Sequence, residues 1–227
     1  MSKDKAILFG SIGVIAETSD IQRRAYNAAF EEKGLSWSWS RDEYRELLVK
    51  GGGRARLRRM NESTGAGLEE ADILAIHRRK IELACAEIRE EKTPLRSGVQ
   101  KTIENARARD IRLALVTTTY PANIKAVIEP INRIQENAFD VIISVEDVAF
   151  IKPNPEAYQI ALGKLGVKPE NAVAIEDTTT SLASAKRAGL YAICTPGELT
   201  DQQDFSAADE LLDELDSERV LSALGTR

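Results

Sequence analysis

From residue 93 onward the chain alternates two kinds of segment, and few folds accept that rhythm. Helix-patterned residues 99–108 lead to an apolar run at 112–117, then a helix pattern at 122–128 and an apolar run at 141–144. The alternation continues through 155–165, 172–175, 180–188 and 191–195. Short, continuously apolar strands separated by helices predict a parallel sheet covered on both faces.

One more strand is expected far upstream, at Ala6–Phe9, and no convincing strand lies between it and residue 93. Helical patterns fill the gap. Residues 21–33 place Ala25, Ala28, Ala29 and Phe30 on one face and stop at Gly34, a residue suited to a helix C-terminus. Residues 41–49 repeat the pattern with Tyr44, Leu47 and Leu48. Residues 68–88 put Ile73, Leu74, Ile76, Ile81 and Cys85 on the apolar side. The expected fold class is therefore α/β: a parallel-sheet core from residues 1–16 and 93–227, with an all-helical insertion at 17–92. The acidic tail from Asp209 reads as a final helix.

Composition narrows the function. The net charge of −5 argues against general nucleic-acid binding, while leaving room for a local basic pocket. No run approaches the roughly 18 to 20 apolar residues that span a bilayer, and no cleavable leader is evident, so a soluble cytoplasmic protein is expected. Cys85 and Cys194 lie far apart in core-like patterns, which favours buried thiols over a disulfide or zinc site. With His77 the only histidine, histidine-rich metal sites are excluded.

In an open parallel sheet, ligands bind beyond the carboxyl ends of the strands. Three such ends carry polar groups: Thr117, Thr118 and Thr119; Lys152 before Pro153; and Glu176 with Asp177. Each has an ordinary explanation, as a strand end, a solvated lysine in a turn, or an acidic helix cap. A hydroxyl, a lysine and a carboxylate pair at successive strand ends would rarely arise from capping preferences alone. Together they suit a phosphate: hydroxyls and N–H groups to bind it, a lysine to neutralise it, carboxylates to hold a hard cation. At the fourth end, Gly10, Ser11 and Ile12 offer no ionisable group.

These residues resemble the motifs of the haloacid dehalogenase superfamily. The likeness is to the branch with a helical cap inserted after the first strand, which includes β-phosphoglucomutase and CbbY-like sugar-bisphosphate phosphatases. It extends through residues 16–30, 44–48, 51–56 and 77–80. In that family the first strand ends with an aspartate nucleophile, a spacer, an acid–base aspartate and glycine. Gly10, Ser11, Ile12 and Gly13 stand at those places. The family's hydroxyl matches Thr117, its lysine Lys152, and its acidic pair Glu176 and Asp177.

The resemblance implies a Mg²⁺ site at Asp177 and Glu176, weakened or lost because Gly10 brings no ligand. It implies phosphate contacts from Thr117, Thr118, Lys152 and the backbone N–H groups of residues 11–13, with Glu17 and Arg54 facing the ligand from hinge and cap. Strand alternation would point the Ser11 side chain away, a structural role. Ser181 and Ser97 replace a glycine and a proline usual in the family. Loss of the nucleophile and of the acid–base group, the latter alone worth roughly 10²–10⁴-fold, predicts little turnover. A phosphosugar- or phosphate-binding protein, monomer or dimer, is expected. An active phosphohydrolase or phosphomutase using a relocated acid or direct water attack, and a docking scaffold, are the alternatives.

Overall fold

The computed structural model describes residues 4–134 and 137–225. Strands β1 (Ala6–Phe9), β2 (Arg112–Val116), β3 (Val141–Ile143), β4 (Ala172–Glu176), β5 (Tyr191–Cys194) and β6 (Glu210–Leu211) form one sheet in the order β3-β2-β1-β4-β5-β6. Every neighbouring pair is parallel. Alternate residues feed two apolar layers. Ile7, Phe9, Leu113, Leu115, Val173 and Ile175 face one, and Ala6, Leu8, Ala114, Val116 and Ala174 face the other. Each fully buried Leu, Ile or Phe contributes roughly 1.5–3 kcal/mol, so both faces hold the sheet.

Four helices follow β1: α1 (Ser19–Glu32), α2 (Arg41–Leu48), α3 (Gly53–Thr64) and α4 (Glu70–Glu90). They enclose an aromatic core of their own, in which the Phe30 and Trp39 rings meet edge-on at 4.8 Å. The remaining helices are α5 (Val99–Arg107), α6 (Pro121–Ile134), α7 (Glu156–Leu165), α8 (Thr179–Arg187) and α9 (Ser217–Gly225).

Several expectations are corrected. The tail from Asp209 is not one helix. Asp209 donates to Ala192 O and Leu212 to Cys194 O, each at 2.9–3.0 Å, so β6 pairs with β5 before α9 begins. Helix α6 runs on through Pro130, because Ile131, 3% exposed, extends the buried stripe of Ile124, Val127 and Ile128. Leu74 is largely exposed and Ala28 only half-buried.

These four helices, the expected cap, pack on the core through α4 against α6, where Ile81, Ala84, Cys85 and Ile88 share a buried cluster with Ile124, Val127 and Ile128, and they meet it again at two polar seams beside a cleft. On one, Arg41 Nη2 pairs with Glu198 Oε2 at 2.7 Å and Arg45 Nη2 donates to Glu198 O at 2.8 Å, with Asp201 at 3.4 Å. On the other, Thr180 Oγ1 donates to Val49 O at 2.9 Å. No helix among the described residues is long and apolar enough to cross a membrane.

Candidate functional site

Register brings the site together. Phe9 lies level with Leu115 on β2 and Ile175 on β4, so the residues just beyond these three strands converge. Gly10 N donates to Ile175 O at 2.9 Å. The strand then ends and the chain turns tightly: Val14 and Ile15 N–H groups donate to Ser11 O, and Gly13 N to Ala16 O. Strand alternation therefore does not apply at residue 11, and the expectation that Ser11 points away fails. Its hydroxyl donates to Thr117 Oγ1 at 2.9 Å.

Ser11, Ile12, Thr117, Thr118, Lys152 and Asp177 share the lining of a depression of about 150 Å³. It adjoins a larger one of about 300 Å³, which also meets Ile12, Thr117, Thr118 and Lys152 and extends to the cap. Ile12 brings only hydrocarbon to this lining.

Lys152 is already occupied. Its ammonium donates to Val116 O at 2.8 Å, to Tyr158 OH at 3.4 Å and to the Glu176 carboxylate, which also accepts from Tyr158. The Lys152 and Glu176 side chains are 6% and 1% exposed. Burial, reinforced by Glu176, pushes the Tyr158 hydroxyl well above its ordinary value, so it stays a donor. Burial with Glu176 and Glu17 nearby also holds the Asp177 carboxyl well above the usual carboxylate range.

The donor set fits Mg²⁺ poorly. Hard divalent cations need several oxygen ligands, yet one of the two carboxylates at the β4 end is tied to Lys152 and Tyr158, and Gly10 supplies none. Among the described residues no three His, Cys, Asp or Glu side chains gather as a metal group.

On the cap side the larger depression meets Arg54, Lys80, His77 and Gln22. Lys80 donates to Gln22 Oε1 and lies over the Tyr26 ring at 4.7 Å. Burial, then the Arg56 charge, lowers the Lys80 ammonium to about 7. Burial, then Lys80, lowers His77 to about 3, which keeps it neutral. Glu17 does not join them. Its carboxylate accepts from the Ser19 and Glu198 N–H groups and borders a separate depression. Ser181 N donates to Thr178 Oγ1 at the start of α8, and Ser97 Oγ to Glu214 Oε2.

A sheet in this order under a helical cap, with a hydroxyl and an acidic pair at the ends of β2 and β4 and a lysine from the loop before α7, has relatives. Residues 5–189 match the model of the haloacid dehalogenase-like hydrolase family. The chain belongs to that family. It is 41% identical to protein CbbY of Cereibacter sphaeroides over 210 residues, 92% of this chain and 91% of that one. To protein CbbY of Rhodobacter capsulatus it is 39% identical over 206 residues, 90% and 91% of the two chains. The structure superposes on CbbY from Rhodobacter sphaeroides in complex with phosphate with a TM-score of 0.89, covering 97% of this chain and 99% of that one at 41% identity. A mutant of the same CbbY has been solved with xylulose 1,5-bisphosphate; it superposes with a TM-score of 0.85 at 40% identity, covering 92% and 94% of the two chains. A chain this similar to haloacid dehalogenase-like hydrolases thus carries Gly10 and Ile12 at the end of its first strand.

Sequence reasoning overlooked Tyr158, and had Gln22 and Lys80 only within family-like stretches. A signal existed for two of them. Gln22 interrupts the buried stripe of Ile21, Ala25 and Tyr26, and Lys80 the stripe of Ile76, Ile81 and Ala84. A polar side chain on an apolar helix face needs an internal partner, and these two are each other's.

Proposed function

We propose that this chain binds a small phosphorylated sugar in the cleft between sheet and cap, and hydrolyses it very slowly or not at all. One observation carries the proposal: the end of β1 sets Gly10 beside Glu176 and brings the hydrocarbon side chain of Ile12 into the lining that Thr117, Lys152 and Asp177 share. Neither can attack phosphorus or move a proton. The hydroxyls of Thr117 and Thr118 remain as donors, with Ser11 already donating to Thr117, and Arg54 and Lys80 supply positive charge from the cap.

The ligand class rests on the relatives. CbbY has been solved with phosphate and with xylulose 1,5-bisphosphate, and the cleft here keeps hydroxyls and cations suited to such a molecule. Mg²⁺ binding is weakened along with catalysis, and the ligand enters without it. Residues 17–92 act as the cap, and Glu17 as its hinge anchor rather than a ligand contact.

Thermal unfolding with and without millimolar xylulose 1,5-bisphosphate, in EDTA, tests the binding half, since a ligand bound only by the folded state stabilises it. A rise in Tm is expected; no shift removes the proposal. Phosphate release with Mg²⁺ tests the other half. Turnover at the rate of a CbbY control, abolished by Lys152→Ala, would establish an active hydrolase instead.

A further inference from the structure

Two lysines are buried among the described residues, and they are held differently. Lys152 gives its ammonium to two oxygens and to the Glu176 carboxylate. Lys80, 6% exposed, has one acceptor among the described residues, the Gln22 amide oxygen, with the face of the Tyr26 ring beside it. No Asp or Glu lines the depression of about 300 Å³ that Lys80 borders; the other charged side chains lining it are Arg54, Arg56, Arg58 and Lys152. His77, three residues earlier on α4, is neutral and supplies no counter-charge. A buried amine among cations, served by a neutral amide, gives up its proton readily. With its value near 7, a large share of the molecules carry the free amine in neutral solution. An uncharged lysine amine is a nucleophile.

Gln22 adds a second group suited to the same chemistry. It is 3% exposed, lines the same depression, and keeps its Nε2 buried without an acceptor. Its Oε1 meanwhile accepts from Lys80, so the idle donor belongs to the very amide that touches the amine. When an amine attacks a carbonyl, negative charge grows on the carbonyl oxygen, and a donor fixed beside the amine stabilises it.

We propose that Lys80 captures the carbonyl group of an open-chain sugar phosphate as a reversible imine. The proposal rests on the phosphosugar reading above and narrows the ligand to a sugar phosphate with a free ketone or aldehyde. The Lys80 nitrogen bonds to the carbonyl carbon while the carbonyl oxygen takes one amine proton, giving a carbinolamine. That hydroxyl then leaves as water with the second amine proton, and the C=N bond forms. Water reverses both steps and releases the ligand unchanged, so neither Gly10 nor Ile12 is called upon. Xylulose 1,5-bisphosphate suits the reaction, because phosphate on both terminal oxygens leaves its ketone no hydroxyl with which to close a five-membered ring.

Incubation with xylulose 1,5-bisphosphate and sodium cyanoborohydride at pH 7.5, followed by peptide mass mapping, tests it. A reduced adduct is expected on Lys80, and none with xylitol 1,5-bisphosphate, which has no carbonyl. Lys80→Met should abolish the adduct. Gln22→Glu, which sets a carboxylate against Lys80 and keeps it protonated, should slow its formation about tenfold. Trapping in the unsubstituted chain decides the matter even if a variant fails to fold. Adduct spread over exposed lysines with no excess at Lys80 overturns the proposal. A rise in Tm with xylulose 1,5-bisphosphate but no adduct at Lys80 overturns the imine and leaves the phosphosugar reading standing. Neither adduct nor rise in Tm overturns both.

Discussion

The Glu176 carboxylate stands 2.5 Å from the point that a Cβ on Gly10 would occupy. Val14 Cγ2 crowds the same point at 2.8 Å. The space beside β1 has thus been filled from β4, by a side chain that Lys152 and Tyr158 hold in place. Gly10→Ala is expected to destabilise the fold by about 1–3 kcal/mol, the usual effect of overpacking. Urea denaturation measures it, and an unchanged midpoint would show that Glu176 moves aside freely. For the same reason Gly10→Asp alone should not restore hydrolysis.

Removing one member of a buried ion pair strands the other. Lys152→Met leaves Glu176 with Tyr158 as its remaining partner, and a loss of about 3–5 kcal/mol is expected. Adding Glu176→Gln should recover part of that loss. A double-mutant cycle checks this: strictly additive losses would mean that the two side chains are not energetically coupled.

Lys80 makes stability depend on pH in the alkaline direction. Its folded value of about 7 lies below the ordinary 10.5. Between those limits the unfolded chain holds a proton that the folded chain has shed, so stability rises with pH. Below pH 7 both states are protonated and the burial penalty is constant. Denaturation between pH 7 and about 8, below the ordinary range of the unfolded thiols, should show a positive slope that Lys80→Met removes. A slope equal in both proteins would place the proton elsewhere.

His77 acts on the acid side. Its value falls from 6.5 to about 3, again through burial first and the Lys80 charge second. The folded chain refuses a proton that the unfolded chain accepts, so stability should drain away as pH falls from about 6.5 toward 3. His77→Gln should flatten that decline. Identical acid midpoints for the two proteins would remove His77 from the account.

Sequence periodicity read the sheet well because these strands are apolar on both faces and punctuated by polar ends. Strand β1 was legible from four residues, Ala6–Phe9. Helix α3 was not, because three consecutive glycines, Gly51 to Gly53, lead into it and only Arg56 and Leu57 are buried along it. Strand β6 was hidden because two residues at a sheet edge leave no period to detect. At the site, Lys152, expected at a strand end, comes from the loop between β3 and α7, whereas the positions of Thr117 and Asp177 followed from the strand ends. The partners did not: Ser11 reaches Thr117 only because the chain turns beyond Phe9, and Glu176 serves Lys152 because α7 brings Tyr158 alongside.

Beside the apolar packing of α4 on α6, two polar seams join cap and core, and they are unlike in kind. Arg41 and Arg45 grip Glu198 and Asp201 by charge, whereas Thr180 and Val49 meet through one neutral hydrogen bond. Dissolved ions weaken the first and barely touch the second. Added salt should therefore loosen the arginine seam, so that ligand escapes faster in stopped-flow dilution as sodium chloride increases. An escape rate independent of salt would mean that the arginine seam does not control the opening.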